Sequence, residues 1–213
     1  MAWPDLSDIR NRVRDTLNES TALFWTDAEL NRFINDGERD VAIKSLCLES
    51  ILSKTTTAST RTIDIYRVKV LHIEYIPASG TPIGLVKIIP KQLGHLNLNT
   101  TIPQYWFPWA KKIGIEPLPD AAYDLNVYVA SLPTIEMSAD TDEPQIPDEF
   151  QELIIQYAIW KALCKDGLFQ GVADIYNDYI YRLQFIRENI IRRYSDNKYE
   201  FKIPDKVSIT SQS

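Results

Sequence analysis

Apolar residues recur at helical spacing near the start of the chain. Leu6, Ile9, Val13 and Leu17 lie three or four positions apart, and charged residues fill most of the positions between them. This spacing places the four side chains on one face of a helix. The pattern therefore predicts an amphipathic first helix with a single buried face.

A second helix is predicted to begin at Thr26. Thr26 and Glu29 have the spacing of a capping box, in which each side chain accepts a hydrogen bond from the backbone N–H of the other residue. Trp25 and Leu30 flank this start at the positions of a hydrophobic staple. Gly37 inside the same helix costs about 1 kcal/mol relative to alanine, which predicts close packing against a neighbouring element.

The most apolar stretch of the chain covers residues 146–166. Pro147 suits a first helical turn, and Asp148 or Glu149 favours the positive end of the helix dipole. Apolar side chains follow on nearly every side, so the predicted helix must be covered by several other elements. It is too short, and too interrupted by polar residues such as Glu152 and Lys161, to be a membrane span. We interpret it as the central helix of a bundle.

A long final helix is predicted to follow Asp166 and Gly167, because glycine commonly ends a helix. Six apolar residues of this final helix form a four-three alternation: Val172, Tyr176, Tyr179, Leu183, Ile186 and Ile190. The alternation predicts one continuous buried face. The short connection predicts that the last two helices fold back as an antiparallel pair.

The middle third of the chain has the pattern of β-strands. Short runs of β-branched and aromatic residues alternate with prolines and turn residues, which is typical of strands joined by short connections. The predicted strands cover residues 61–66, 69–76, 85–89, 112–116 and 125–130. We interpret this region as a small β-domain inserted into a helical frame.

The sequence thus predicts an α+β fold built on a four-helix bundle. Residues 1–54 supply the two N-terminal helices, and residues 138–196 supply the two C-terminal helices. Residues 55–137 form the inserted β-domain, and residues 197–213 form an extended C-terminal tail.

Apolar residues of the tail alternate with charged or polar ones. The apolar positions are Tyr199, Phe201 and Ile203, with Val207 and Ile209 after an intervening proline. Such a segment can add to another chain as an extended strand or insert into an apolar groove. The alternative is an unstructured polar tail.

The net charge of −6 bears on nucleic-acid binding. A protein that binds DNA by covering phosphates depends on Lys and Arg to neutralise them, so this class is disfavoured. A surface past which DNA slides without being held is compatible with the charge.

Cys47 and Cys164 lie far apart in apolar helical contexts, which predicts buried, reduced thiols. The first residues have neither the basic region nor the apolar core of a signal peptide. We expect a protein that is made and kept inside a cell, or packed into something assembled there.

Residues that carry catalysis are not arranged in a recognisable motif. His72 and His95 have no cysteine or carboxylate at metal-ligand spacing nearby, and no glycine-rich phosphate loop occurs. Two carboxylate pairs satisfy the minimum that a glycosidase needs, but such acids are usually helix-dipole partners or solvated surface. The pairs are Glu149 with Glu152, and Asp140 with Asp142. We expect no enzyme, no cofactor and no metal site, with a carboxylate-based hydrolase as the alternative.

Four aromatic residues fall within a short run of the β-region: Tyr105, Trp106, Phe107 and Trp109. Such a cluster can stack on bases or on a sugar ring, and a monomeric module that binds a peptide or glycan is a second alternative. Packing under the β-domain, or contact with another subunit or a tail protein, is the preferred interpretation.

Three groups of motifs occur in an order that resembles a known family. They are the capped helix at residues 25–42, the β-region motifs at residues 103–106 and 115–129, and the proline-led helix at residues 146–166. Over residues 6–194 this order resembles tailed-phage head-to-tail adaptor proteins, also called connector proteins.

The resemblance implies a structural component of the virion at the junction of capsid and tail, made in the host cytoplasm. Such adaptors assemble as a ring, usually of twelve subunits, beneath the portal protein. They extend the DNA channel and present a platform for the next tail or nozzle protein, with DNA as a transient passenger and no membrane partner. The resemblance also implies that the helices build the ring wall, the β-insertion contacts neighbours or tail parts, and the C-terminal segment grips the portal.

Overall fold

The computed structural model describes residues 4–19, 21–65, 69–95, 101–167 and 172–194. Within these residues the chain forms four α-helices and two small four-stranded sheets. The predicted α+β class is confirmed. None of the helices in these ranges is long and apolar enough to cross a membrane.

The N-terminal helices are α1 (Leu6–Thr16) and α2 (Asp27–Ser45). The side chain of Asp5 caps α1. At the start of α2, the capping box between Thr26 and Glu29 is present in both directions. Both helices therefore begin where the sequence places a polar cap before an apolar face.

The C-terminal helices are α3 (Glu152–Asp166) and α4 (Val172–Tyr194). A short 3₁₀ turn (Asp148–Phe150) precedes α3, so the α-helix begins after this turn and not immediately after Pro147. Gly167 ends α3 in the left-handed conformation, with a φ of 76°, which glycine adopts without strain.

Aromatic contacts show that α3 and α4 run antiparallel. Trp160 stacks on Tyr176 with ring centroids 4.6 Å apart, and Tyr157 contacts Tyr179 at 5.8 Å. Moving back along α3 therefore corresponds to moving forward along α4. The predicted antiparallel pair is confirmed.

The other three helices pack around α3. It contacts α1, α2 and α4, and α2 also contacts α1 and α4, which places α2 and α3 between α1 and α4. The buried residues of α3 lie on several sides of the helix, as a helix without a polar stripe requires. They are Leu153, Ile154, Ile155, Tyr157, Ala158, Ile159 and Ala162.

Gly37 lets α2 and α3 approach closely. A Cβ atom at this position would lie 3.0 Å from Cδ1 of Tyr157 and 3.3 Å from the carbonyl oxygen of Ile154. Any larger side chain would have to displace a ring and a backbone oxygen. The predicted close packing at this glycine is confirmed.

The strands, in chain order, are β1 (Glu49–Thr55), β2 (Thr62–Asp64), β3 (Lys69–Ile76), β4 (Ile83–Gly84), β5 (Val86–Lys87), β6 (Tyr105–Trp109), β7 (Lys112–Glu116) and β8 (Asp124–Ala130). The first sheet has the order β1-β8-β3-β4, and the second has the order β2-β7-β6-β5. Neighbouring strands are antiparallel except β5 and β6, which are parallel.

Strands β3 and β7 have the predicted bounds, and β8 starts one residue before its predicted start. Strands β2 and β5 are shorter than predicted, and the sequence pattern does not predict β1, β4 or β6. All of β1 except its last residue, Thr55, lies within the range predicted as the N-terminal helical half. It forms because its whole length pairs with β8, from Glu49 opposite Ala130 to Thr55 opposite Asp124, and a pairing between distant segments leaves no local signal.

The first sheet separates two hydrophobic cores. In β8, Val127 and Val129 belong to the core between the two sheets, whereas Ala130 belongs to the helical core and Tyr128 packs against it. Successive side chains of a strand point to opposite faces. One strand therefore joins the β-region to the helices.

Leu183 tests the buried face of α4. It is 2% exposed, whereas Phe185 on the same helix is 62% exposed. An unpaired charge in the core costs several kcal/mol, so Leu183→Asp is expected to lower the thermal midpoint by about 10 °C or more. The matched variant Phe185→Asp is expected to change the midpoint little. Thermal unfolding followed by circular dichroism measures both, and equal midpoints would show that the face is wrongly assigned.

Glu38 is a buried carboxyl that joins α2 to the segment before α3. Its Oε1 accepts a hydrogen bond of 2.5 Å from the backbone N–H of Gln145. Burial raises the pKa of Glu38, and the N–H groups of Gln145 and Ile146 oppose part of that shift. The Glu38 carboxyl therefore stays protonated to a higher pH in the native state than in the unfolded chain.

The stability contributed at Glu38 is expected to fall as pH rises from the ordinary pKa of 4.5 through the higher folded pKa, because the native state binds more protons in that window. Glu38→Gln keeps an acceptor oxygen but cannot ionise, so this fall should be absent. Glu38→Ala removes the acceptor of a buried N–H and should cost about 1–3 kcal/mol at every pH. Urea unfolding from acidic to neutral pH measures all three chains. The same pH slope in the native and Glu38→Gln chains would contradict the prediction.

Candidate interaction surfaces

The capped start of α2 is fixed to the end of α3. Lys165 Nζ donates to both carboxylate oxygens of Glu29, at 2.8 and 2.9 Å, and Trp25 Nε1 donates to the carbonyl oxygen of Ala162 at 3.2 Å. The contact with Lys165 holds the pKa of Glu29 below its ordinary value. Trp25 and Leu30 are buried in the helical core. The motif therefore joins two helices.

Pro147 and Asp148 lie at the 3₁₀ turn before α3. The carbonyl oxygen of Pro147 accepts the N–H of Phe150, and the Asp148 carboxylate accepts a hydrogen bond of 3.1 Å from Gln151 Nε2. The acidic residue in the first turn of α3 is Glu152. Asp148 therefore lies in the 3₁₀ turn that leads into α3, four residues before the first residue of the α-helix.

The four aromatic residues expected to make contacts form strand β6. Trp106 is 1% exposed in the core between the sheets, and Phe107 is buried over Gly114, where a Cβ atom would lie 2.1 Å from the ring. Trp109 is 56% exposed, and Tyr105 is half-buried. Trp106 and Phe107 therefore pack within the protomer, and Trp109 with part of Tyr105 faces outward.

A cleft of about 250 Å³ lies where α4 meets both sheets, and we call it the cationic cleft. Its lining residues are Lys69, Val70, Leu71, His72, Leu85, Lys87, Trp106, Ile191 and Tyr194. Lys87 Nζ lies 5.2 Å from the centroid of the Trp106 ring. Burial lowers the pKa of Lys69, and the positive charges of Arg187 and Lys87 lower it further. Three cations therefore lie close together beside an apolar lining.

A second depression, of about 230 Å³, lies between the start of α3 and the middle of α4, and we call it the apolar groove. Its lining residues are Glu149, Phe150, Glu152, Leu153, Tyr181, Arg182, Phe185 and Ile186. Tyr181 and Phe185 are mostly exposed and lie one turn apart. Exposed apolar side chains that adjoin one another often mark a contact surface.

The sequence-predicted carboxylate pairs lie in different surroundings. Two backbone N–H groups of the same loop donate to the Asp142 carboxylate at 2.7 and 2.8 Å, and Asp140 pairs with Arg10 at 2.9 Å. Glu149 and Glu152 line the apolar groove. Among the described residues, no group of three or more His, Cys, Asp or Glu side chains could hold a metal ion.

The histidine and cysteine side chains are dispersed. His72 lies at the cationic cleft with Nε2 3.9 Å from a carboxylate oxygen of Glu74, and the side chain of His95 is outside the described part of the structure. Cys47 is buried, Cys164 is partly buried, and both thiols are free. Burial raises the pKa of Cys47 to about 11, so this thiol stays protonated at neutral pH and is a poor nucleophile.

The candidate portal-docking residues lie outside the described residues: Tyr199, Phe201, Ile203, Val207 and Ile209. The structure does describe the end of α4, from which this segment continues. Arg193 Nη2 pairs with the Glu49 carboxylate at 2.5 Å, and the Tyr194 hydroxyl donates to the same carboxylate. The end of α4 is therefore tied to the first residue of β1.

Sequence patterns do not identify the cationic cleft, because its residues come from β3, β5, β6 and α4. No local spacing links side chains that only folding brings together. The apolar groove, in contrast, can be recognised from the spacing of apolar residues in the sequence. Tyr181 and Phe185 lie four positions apart and off the buried face of α4, and a second apolar stripe on one helix predicts a second contact.

Trp106 and Trp109 provide a matched test of which β6 side chains are buried and which are exposed. Removal of the buried ring in Trp106→Ala is expected to cost about 3–5 kcal/mol. Trp109→Ala is expected to change stability by less than about 0.5 kcal/mol, because that ring is largely in solvent. Urea unfolding measures both variants. A similar small loss for each would show that Trp106 is not a packing residue.

Comparison with known proteins adds one match. None of the curated proteins matches the chain significantly. The family model described as SU10 adaptor protein matches residues 4–197, and this range includes all four helices and both sheets. The chain therefore belongs to the SU10 adaptor protein family, which confirms its resemblance to phage head-to-tail adaptors.

Proposed function

We propose that the protein is a structural component of the phage virion that forms a ring beneath the portal, extends the DNA channel and provides the platform for the tail. The observation that carries this proposal is the family match over residues 4–197. We propose a ring of twelve subunits at the capsid–tail junction, as the resemblance to head-to-tail adaptors implies. The protein would be made in the host cytoplasm before it enters the virion.

Ring formation needs two different surfaces on each subunit, because contacts of this heterologous kind close when the rotation per subunit closes. The described surface offers several separate candidates. They include the cationic cleft, the apolar groove and the exposed ring of Trp109. The apolar groove lies at the start of α3 and the middle of α4, whereas the cationic cleft lies at the end of α4, which supports assembly through more than one face.

In the proposed ring the four helices act as a bundle that forms the wall. The packing of α3 against the other three helices supports this arrangement. Residues 1–54 and 138–196 supply the two halves of the bundle, although β1 at the end of the first range pairs with the inserted sheet. The insertion at residues 55–137 would contact neighbours or the next tail protein, through Trp109 and the exposed part of Tyr105.

The C-terminal segment is proposed to grip the portal. The end of α4, from which this segment continues, contacts β1 through Arg193 and Tyr194, which both bind Glu49. A fully extended segment from residue 195 to residue 213 reaches about 60 Å, which is enough to leave its own protomer. The alternation of Tyr199, Phe201 and Ile203 supports insertion into an apolar groove or addition as a strand.

DNA is proposed to pass through the channel without being held. The net charge of −6 supports this proposal, because tight binding to DNA depends on Lys and Arg side chains that neutralise its phosphates.

Two truncations test the docking of the tail. A chain that ends at residue 197 is expected to stay folded, with an unchanged circular dichroism spectrum, but to lose binding to its portal protein. A chain that ends at residue 206 keeps Tyr199, Phe201 and Ile203 and is expected to retain most of the binding. Negative-stain microscopy of the portal complex should show a symmetric ring of the full chain, and no such ring of the chain that ends at residue 197.

Unchanged portal affinity in the chain that ends at residue 197 would rule out docking through the tail. A full-length chain that binds the portal without forming a symmetric ring would rule out the ring itself. The two outcomes separate the two parts of the proposal.

A further inference from the structure

The described lining residues of the cationic cleft include two lysines and no carboxylate. Lys69 and Lys87 line it, and Arg187 is close enough to Lys69 to act on it electrostatically. Within the described residues, none of these three cations forms an ion pair with a carboxylate. Like charges at short range repel, so an anionic group placed in the cleft would relieve a cost that the isolated protomer carries.

The loop at residues 134–143, which we call the acidic loop, has the complementary features. Ile135 is 71% exposed, and it surrounds one shallow depression together with Glu136 and Glu143. Neither glutamate forms an ion pair with a cation of the described residues, although Arg39 lines a neighbouring depression with Glu136. An apolar side chain and two carboxylates are therefore presented together.

Hydrogen bonds to Asn35 and Gln145 hold the acidic loop in place. The Asn35 side-chain amide forms two hydrogen bonds with the backbone of Met137. Its oxygen accepts the N–H at 2.8 Å, and its nitrogen donates to the carbonyl oxygen at 2.9 Å. Gln145 accepts the N–H of Thr134 at 3.1 Å and donates to the carbonyl oxygen of Ile135 at 2.9 Å. A loop fixed in this way loses little conformational entropy when it binds.

The acidic loop and the cationic cleft are separate surfaces of the protomer. The loop is anchored to α1 and α2, through the N–H groups of Leu6 and Ser7 and through Asn35. The cleft lies at the end of α4. The two surfaces share no lining residue, so one protomer can use both at once, as a heterologous contact requires.

We propose that the acidic loop of one protomer docks in the cationic cleft of the next, with Ile135 against the apolar lining and Glu136 and Glu143 beside Lys69, Lys87 and Arg187. The occupant is thus a second copy of this chain. This inference rests on the proposed ring, and it identifies the two faces that close it. The apolar groove suits the loop less well, because Glu149 and Glu152 in its lining would repel the loop carboxylates.

Charge reversal tests the contact in the full chain bound to its portal. Glu136→Lys with Glu143→Lys, or Lys69→Glu with Lys87→Glu, is expected to weaken ring assembly at least about a hundredfold, because like charges would then meet. The chain that carries all four substitutions is expected to recover assembly. A matched control is Asp15→Lys with Asp174→Lys, which makes the same charge change at exposed carboxylates at the other end of the helices and should assemble normally.

A disulfide provides a second test that does not depend on charge. Ile135→Cys and Lys87→Cys, combined in one chain with Cys164→Ser, should give a ladder of covalent multimers under oxidising conditions once the ring forms. Each single cysteine variant should give no ladder. Phe201→Cys with Lys87→Cys is the competing pair, and a bond within one chain would assign the cleft to the tail of the same protomer and overturn the proposal.

A ring seen by microscopy without a ladder, or with assembly unaffected by either charge reversal, would overturn the loop-to-cleft contact and leave the proposed ring intact. If the unsubstituted chain forms no ring on its portal, the proposed function and this inference both fail. The two failures are therefore distinguishable.

Discussion

The constraint on which this structure depends is the burial of α3. Its apolar side chains lie on several sides, and a helix without a polar stripe is stable in water only when other elements cover it. Helices α1, α2 and α4 provide that cover. Gly37 lets α2 approach α3 closely, and Tyr179 on α4 donates a hydrogen bond of 2.6 Å to Asp40 on α2. Polar contacts thus fix an arrangement that hydrophobic burial requires.

Strand β8 connects this helical core to the rest of the protein. Val127 and Val129 face the core between the sheets, whereas Tyr128 and Ala130 face the helices. The same strand pairs with β1 and β3, so it holds the chain that enters the insertion and a strand within the insertion in one sheet. The β-region is therefore positioned rigidly enough, through a shared sheet, to present its surfaces in a defined direction relative to the helices.

Some acidic and aromatic side chains hold the local structure, and others of the same type are exposed at the surface. The acidic residues of the 134–143 loop divide in this way: Asp140 and Asp142 hold the local structure, and Glu136 and Glu143 face outward. In the β-region, Trp106 fills the core and Trp109 is exposed. This division leaves exposed side chains that are not needed for the packing of the protomer.

The sequence by itself determined the four helices, three of the longer strands, and the capping box at Thr26 and Glu29, because these depend on local periodicity and on contacts between residues near each other in the chain. Only the tertiary structure decided that residues 49–55 form a strand and that Trp106 is buried while Trp109 is not. Only folding brings Lys69, Lys87 and Arg187 together. Pairing between distant segments, and the crowding of like charges from separate elements, depend on long-range geometry that no local pattern records.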